Sequence, residues 1–212
     1  RKGDIPTHAV DDATRDDLLL LFARLAGCYT RSGRVKAFPP EGARFVAKAL
    51  AEAQRLHEHG RATFDAAALD SAERRFRYLA PRAGERSGEV HFALGGTLAA
   101  LGRHDEAAAA YSLARRLEPS NLAALENLAI AIEDGGRIGE AAALYEAALR
   151  LAPASQRLSS LGKLEMQLGR TAAGAARFRE ALRLTPSDAR AYYDFGRSTE
   201  LFGGDDDAVG LF

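Results

Sequence analysis

The chain has 212 residues, 47% of them hydrophobic, with 29 Lys/Arg against 29 Asp/Glu; this composition fits a folded globular protein and excludes general disorder. Zero formal charge removes the overall electrostatic drive toward nucleic acid or an anionic membrane, and a lone Cys28 cannot form an internal disulfide or imply an oxidising compartment. The longest purely apolar run, residues 18–23, is far short of the roughly 20 residues that span a bilayer.

Residues 13–30 read as a first helix, with Phe22, Leu25, Ala26 and Tyr29 on one stripe. Asp11, Asp12, Asp16 and Asp17 stand at its start. They have the wrong charge for a secretory leader but suit a helix N-terminus and the polar outer face of a capping element. Pro39-Pro40 interrupt the chain after it. A long helix is expected over residues 41–59, with Phe45, Val46, Ala49, Leu50, Ala53 and Leu56 on one side. Its partner, over residues 65–80, carries Ala72, Phe76 and Leu79. The His57-Glu58-His59 triplet is expected at a frayed helix end before Gly60. Residues two apart on a helix point about 200° apart and cannot share a metal ion.

From Gly88 onward one unit recurs. Gly102, Gly136, Gly169 and Gly203 are separated by 34, 33 and 34 residues. A ring follows each by nine residues (Tyr111, Tyr145, Phe178, Phe212), and Leu94, Leu128, Leu161 and Phe195 precede each by eight. Alanine recurs at 107, 141 and 208, where Gly174 is the exception, and again at 114, 148 and 181; proline recurs at 119, 153 and 186. Such phasing marks a repeated structural unit. Within residues 122–154, Leu125, Leu128, Ala129 and Ile132 form one helical stripe. Gly135-Gly136 then break the chain, since glycine takes the positive φ of a helix C-terminus. Ala141, Ala142, Tyr145, Ala148, Leu149 and Ala152 form a second stripe, which Pro153 stops. Each unit is therefore a helix pair, with boundaries at 88–121, 122–154, 155–188 and 189–212, and residues 1–87 form an N-terminal region of one capping helix and a degenerate pair.

Candidate chemistry is thin. Asp205-Asp206-Asp207 follow Gly203-Gly204 and read as a helix cap. Gly95-Gly96-Thr97 lies inside an expected helix without the preceding strand or the Gly-Lys-Ser/Thr of a phosphate loop. Cys28 reads as a small buried apolar residue. No catalytic, cofactor or metal site is expected in this segment.

The Leu161-Gly162, Gly169, Phe178, Ala181 and Pro186 set resembles the tetratricopeptide repeat, and the pattern covers residues 88–212. No unit has tryptophan in its fourth position, where His91, Leu125, Leu158 and Tyr192 stand. The resemblance implies an all-α, right-handed α-solenoid of about eleven helices. It also implies a concave groove lined by the first helix of each pair, which takes up a protein or peptide segment. Carried over by position, the groove residues are Phe92 in the first unit and Glu126, Asn127, Ile130 and Glu133 in the second. Lys163, Met166 and Gln167 follow in the third, and Arg190, Tyr193, Asp194 and Arg197 in the fourth. Arg190 and Arg197 are expected two turns apart on one face, ready for an acidic segment. Asn127 offers an amide that both donates and accepts, but Ala93, Ser160 and Asp194 at the equivalent places leave no asparagine ladder, and the carboxylate clamp of the family's chaperone co-factors is absent.

The expected function is a cytoplasmic, non-enzymatic binding module without nucleic-acid or membrane partners. The chain opens on Arg1 and ends at Phe212 inside an expected helix, which reads as a piece of a longer protein. Two alternatives follow from that. One is a substrate-recognition arm of a glycosyltransferase, sulfotransferase or aspartyl hydroxylase type of enzyme. The other is a homodimer formed through the last repeat, where Ala208, Val209 and Phe212 lack a neighbour.

Overall fold

A computed structural model of the chain describes residues 40–83 and 86–202. The expected helix at 13–30, Cys28, the aspartates at 11–17 and 205–207, Gly203, and the Ala208–Phe212 face lie outside the described residues. The chain divides into two compact units, Arg1–Lys48 and Ala49–Phe212. The boundary falls inside the first described helix, and the helical stack belongs to the second unit.

The described residues form nine α-helices, one 3-10 turn (Ala80–Arg82) and no strand: α1 Pro40–Thr63, α2 Ala66–Leu79, α3 Ser87–Ala100, α4 His104–Leu117, α5 Leu122–Asp134, α6 Ile138–Leu151, α7 Ser155–Gln167, α8 Thr171–Leu184 and α9 Ala189–Phe202. Each of these packs on its chain neighbour from α2 onward, and α9 also lies against α7. The product is an all-α solenoid of antiparallel pairs.

The recurring glycines end the first helices. Gly102, Gly136 and Gly169 have φ of 72°, 79° and 78°. In each case the next residue's N–H returns to a carbonyl five residues back: Arg103 to Leu98 at 2.9 Å, Arg137 to Ile132 at 3.0 Å, and Arg170 to Glu165 at 2.8 Å. Together with the glycine's own bond to Ala99, Glu133 or Met166, these are Schellman motifs, which satisfy carbonyls that would otherwise be orphaned. The next first helix is capped by Asn121, whose side chain accepts from the Ala124 N–H, or by Asp188, which accepts from the Ala191 N–H. Asp188 also accepts from the Ser155 hydroxyl at 2.8 Å, and its carboxyl is held below its usual range by the Ala191 backbone bond first and by Ser155 second.

Small residues set the spacing of the pairs, and rings fill the space beside them. Ala107, Ala114, Ala129, Ala141, Ala148 and Ala181 are fully buried. A methyl group at Gly95 would meet the Tyr111 ring at 2.8 Å, and one at Gly162 would meet the Gly174 carbonyl at 2.9 Å. The rings of Phe76, Tyr111, Tyr145 and Phe178 all lie in the core, each contributing about 1.5–3 kcal/mol by burial. Phe178 also stacks on Phe195 of the following pair, with centroids 4.8 Å apart and planes at 10°, so one unit's core continues into the next.

Two expectations are corrected. The helix holding His57 and His59 does not fray before Gly60; α1 runs on to Thr63. Gly60 is there for space, because a Cβ would lie 2.7 Å from Leu69 Cγ. The left-handed turn residue is Phe64 (φ 56°), a conformation that costs a non-glycine residue roughly 1–2 kcal/mol. His57 is half-buried, and its Nδ1 lies 3.0 Å from Thr97 Oγ1. The Thr97 hydroxyl donates its proton to the Ala93 carbonyl, so His57 must donate through Nδ1. Burial first, and the nearby Arg61 second, hold its pKa below the usual value. The second correction concerns Met166, which lies in the core and not on the groove.

Candidate binding surface

The residues 126, 127, 130 and 133 are spaced one, three and three apart, so α5 presents them on a single face. That face meets α7 across a cleft of about 410 Å³, lined by Glu126, Asn127, Ile130, Glu133 and Asp134 from α5, by Gln156, Arg157, Ser160 and Lys163 from α7, by Arg190 from α9 and by Tyr145 from α6. Six of the twelve expected groove residues thus share one recess: Glu126, Asn127, Ile130, Glu133, Lys163 and Arg190.

Charge in the cleft is largely paired across it. Arg157 binds Glu126, and Lys163 binds Glu133. Arg157 also donates to the Ala152 carbonyl at 2.6 Å. One member of each pair, Arg157 and Glu133, is largely covered, and the two pairs hold the facing helices in register. Ile130 is left 44% exposed between them. Asn127 and Gln156 make no side-chain hydrogen bond among the described residues. The Tyr145 hydroxyl meets Ser160 at the floor, and burial first, with the negative charge of Glu133 next, pushes its pKa up to about 12 against the smaller opposing pull of the Ser160 bond. The arrangement can accept a neutral polar chain carrying an apolar side chain; it has no nucleophile–base pair.

The other expected residues are distributed differently. Tyr193 and Arg197 line a separate recess on α9 with Tyr192, Gly196, Glu200 and Leu201, and Arg197 donates to Tyr193 Oη at 3.3 Å. Arg190 and Arg197 therefore do not share one recess. Arg190 lies 3.5 Å from Asp194 while remaining 82% exposed. Gln167 is exposed at the end of α7. Phe92 is half-buried and packs edge-on to Tyr111, centroids 5.6 Å apart. Met166 is 1% exposed and clusters with Ala175, Phe178 and Phe195. It turns inward because Gly174 leaves room: a Cβ there would stand 2.3 Å from Met166 Cγ.

Arg157, Ser160 and Tyr145 were not among the expected groove residues. The signal for Arg157 was the acidic Glu126 one unit earlier at a nearby place in the repeat. For Tyr145 it was a hydroxyl where Phe76 and Phe178 have none. Among the described residues no three His, Cys, Asp or Glu side chains come together as a metal site, and no helix is long and apolar enough to cross a membrane.

No curated protein sequence matches this chain. Solved structures do. A MamA protein (residues 41 to its end) from Desulfovibrio magneticus RS-1 is 18% identical over 76% of this chain and 89% of its own, with a TM-score of 0.60. A tetratricopeptide repeat protein from Parabacteroides merdae is 22% identical over 76% of this chain and 64% of its own, TM-score 0.63. A thermophilic TPR protein of Thermus thermophilus is 19% identical over 86% and 99%, TM-score 0.58. At these identities the likeness is one of fold. The family profile described as tetratricopeptide repeat matches residues 50–121, 97–155 and 160–212. With most of its length matched and its helices stacked in pairs, the chain belongs to the tetratricopeptide-repeat family, whose repeats build protein-interaction modules.

Proposed function

We propose that the chain binds an extended segment of a partner protein in the cleft between α5 and α7, without catalysing a reaction on it. The observation that carries this reading is the division of labour in the cleft. Four of its six charged side chains are spent on each other in the Glu126–Arg157 and Glu133–Lys163 pairs, Asp134 and Arg190 being the other two, while Asn127, Gln156 and Ile130 remain available. A strongly charged guest would have to break those pairs. A main-chain amide can instead exchange hydrogen bonds with the two carboxamides, and an apolar side chain can cover Ile130. Arg190, 82% exposed beside Asp194, is the cation of the cleft outside those two pairs, and its guanidinium can meet one carboxylate of the guest. Peptides selected from a random library on the immobilised chain test this. Their affinity should fall about tenfold or more on Ile130→Asp, and less on Asn127→Ala, but hold on Ser112→Asp, which lines a different furrow. Selected peptides indifferent to Ile130 and Asn127 would remove the cleft from consideration.

A further inference from the structure

The second half of α1 is in register with the repeat. Gly60 precedes the Phe76 ring by sixteen residues, as Gly95, Ala129 and Gly162 precede Tyr111, Tyr145 and Phe178. The residues that follow them, Arg61, Gly96, Ile130 and Lys163, therefore hold one place in four successive units. The last two line the cleft. Gly96 lies inside α3, where glycine is less stable than alanine, yet neither its backbone nor its packing demands it. Its φ is not left-handed, and a Cβ would make ordinary contacts, 3.5 Å from Tyr111 Oη and 3.6 Å from His57 Cε1. Gly95 differs, since a Cβ there would run into the Tyr111 ring at 2.8 Å. What the missing side chain at Gly96 leaves is a niche between the Tyr111 hydroxyl and the His57 ring.

The groups around this niche are unspent. Among the described residues the Tyr111 hydroxyl has no hydrogen-bond partner. Arg61 has no ion pair there either, not even with Glu58 three residues earlier, whereas at the same place Lys163 binds Glu133 and Arg197 donates to Tyr193 Oη. The charge of Arg61 reaches both walls: it adds to the burial that lowers the His57 pKa and opposes the burial that raises that of Tyr111. His57, with its Nδ1–H given to Thr97, is uncharged at neutral pH, so Arg61 is the cation of the niche.

We propose that the niche takes a carboxylate, the side chain of an aspartate or glutamate on the same extended segment whose apolar residue covers Ile130. One oxygen accepts from the Tyr111 hydroxyl and the other meets the Arg61 guanidinium. Resting on the cleft reading, this extends one guest across α3 to α1. A carboxamide could share the hydroxyl but would gain nothing from the charge.

Peptides selected from a random library on the parent chain and on Arg61→Glu provide the test. The parent should enrich an acidic residue at a fixed distance from the apolar residue that needs Ile130, and Arg61→Glu should enrich lysine or arginine there instead. In a double-mutant cycle read by fluorescence anisotropy, changing that acid to its amide should weaken binding about tenfold on the parent and hardly at all on Arg61→Gln. Gly96→Ala puts a methyl group in the niche, so it should weaken the acidic peptide although its Tm rises. No acidic residue in the parent selection, an equal loss on amidation with Arg61→Gln, or undiminished binding by Gly96→Ala overturns the niche, and the cleft stands if Ile130 is still needed. Peptides coupled to Arg61 but indifferent to Ile130 would support the niche and remove the cleft.

Discussion

A methyl group added at Gly174 would stand 2.3 Å from Met166 Cγ, which can swing away, and 2.5 Å from the Gly162 carbonyl oxygen, which cannot. The side chain at 166 and the backbone of α7 therefore both depend on the missing Cβ. Alanine should improve the helix propensity of α8 by about 1 kcal/mol, yet Gly174→Ala is expected to destabilise the chain by about 1–3 kcal/mol, because α7 and α8 must move apart. Urea unfolding measures this directly; a midpoint equal to or above that of the parent would show that the two helices are not in such close contact. The same pair marks a limit of sequence reading. By position, Met166 belongs with Ala99, Glu133 and Glu200 on the first-helix surface, and Gly174 reads as a lost alanine. Only their juxtaposition shows that one residue fills the space that the other vacates. Gly60 repeats the lesson, since its glycine serves Leu69 while Phe64 makes the turn.

At the scale of the element, the 33-residue interval between Gly136 and Gly169 has a local consequence. The link after Pro153 is one residue shorter than those after Pro119 and Pro186, and it puts Ala154 where Asn121 and Asp188 cap the neighbouring helices. Ala154 has the extended backbone of an N-cap (φ −154°, ψ 146°) but no side-chain bond to give. Ala154→Asp should therefore stabilise the chain by about 0.5–1.5 kcal/mol, seen as a rise of a few degrees in Tm. No rise would mean that the shortened link holds the carboxylate away from the first turn of α7. The helix ends themselves were legible in the sequence, because glycine and proline at fixed offsets leave the backbone few choices. The cleft was legible only in part. Positions 126, 127, 130 and 133 share a face by helical period, but that this face lines a groove came from the family resemblance, and the pairing with Arg157 and Lys163 depends on the register between two helices.

At the scale of the whole molecule, the repeated rings tie stability to pH. Burial pushes both Tyr111 and Tyr145 up to about 12, above the ordinary value of about 10. A folded-state value raised above the unfolded one means that the neutral phenol is favoured by folding. The contribution is fully present below about pH 10 and is lost as pH rises toward 12. Stability should thus be level through neutral pH and fall on the alkaline side, more gently in Tyr145→Phe; an unaltered alkaline slope in that variant would place the hydroxyl in solvent. The stack is the feature most fully legible from sequence, since six phased positions constrain every pair in the same way. The identity of a guest is not, because the surface residues vary from unit to unit.

The most direct measurement is therefore of where a guest lies. A photo-crosslinking residue introduced separately at positions 127, 156 and 112, followed by mass spectrometry of adducts with a library-selected peptide, reports proximity without requiring a loss of function. Adducts are expected from positions 127 and 156 and none from Ser112. Adducts concentrated at Ser112, with none from the α5–α7 cleft, would contradict the assignment of the cleft as the binding site.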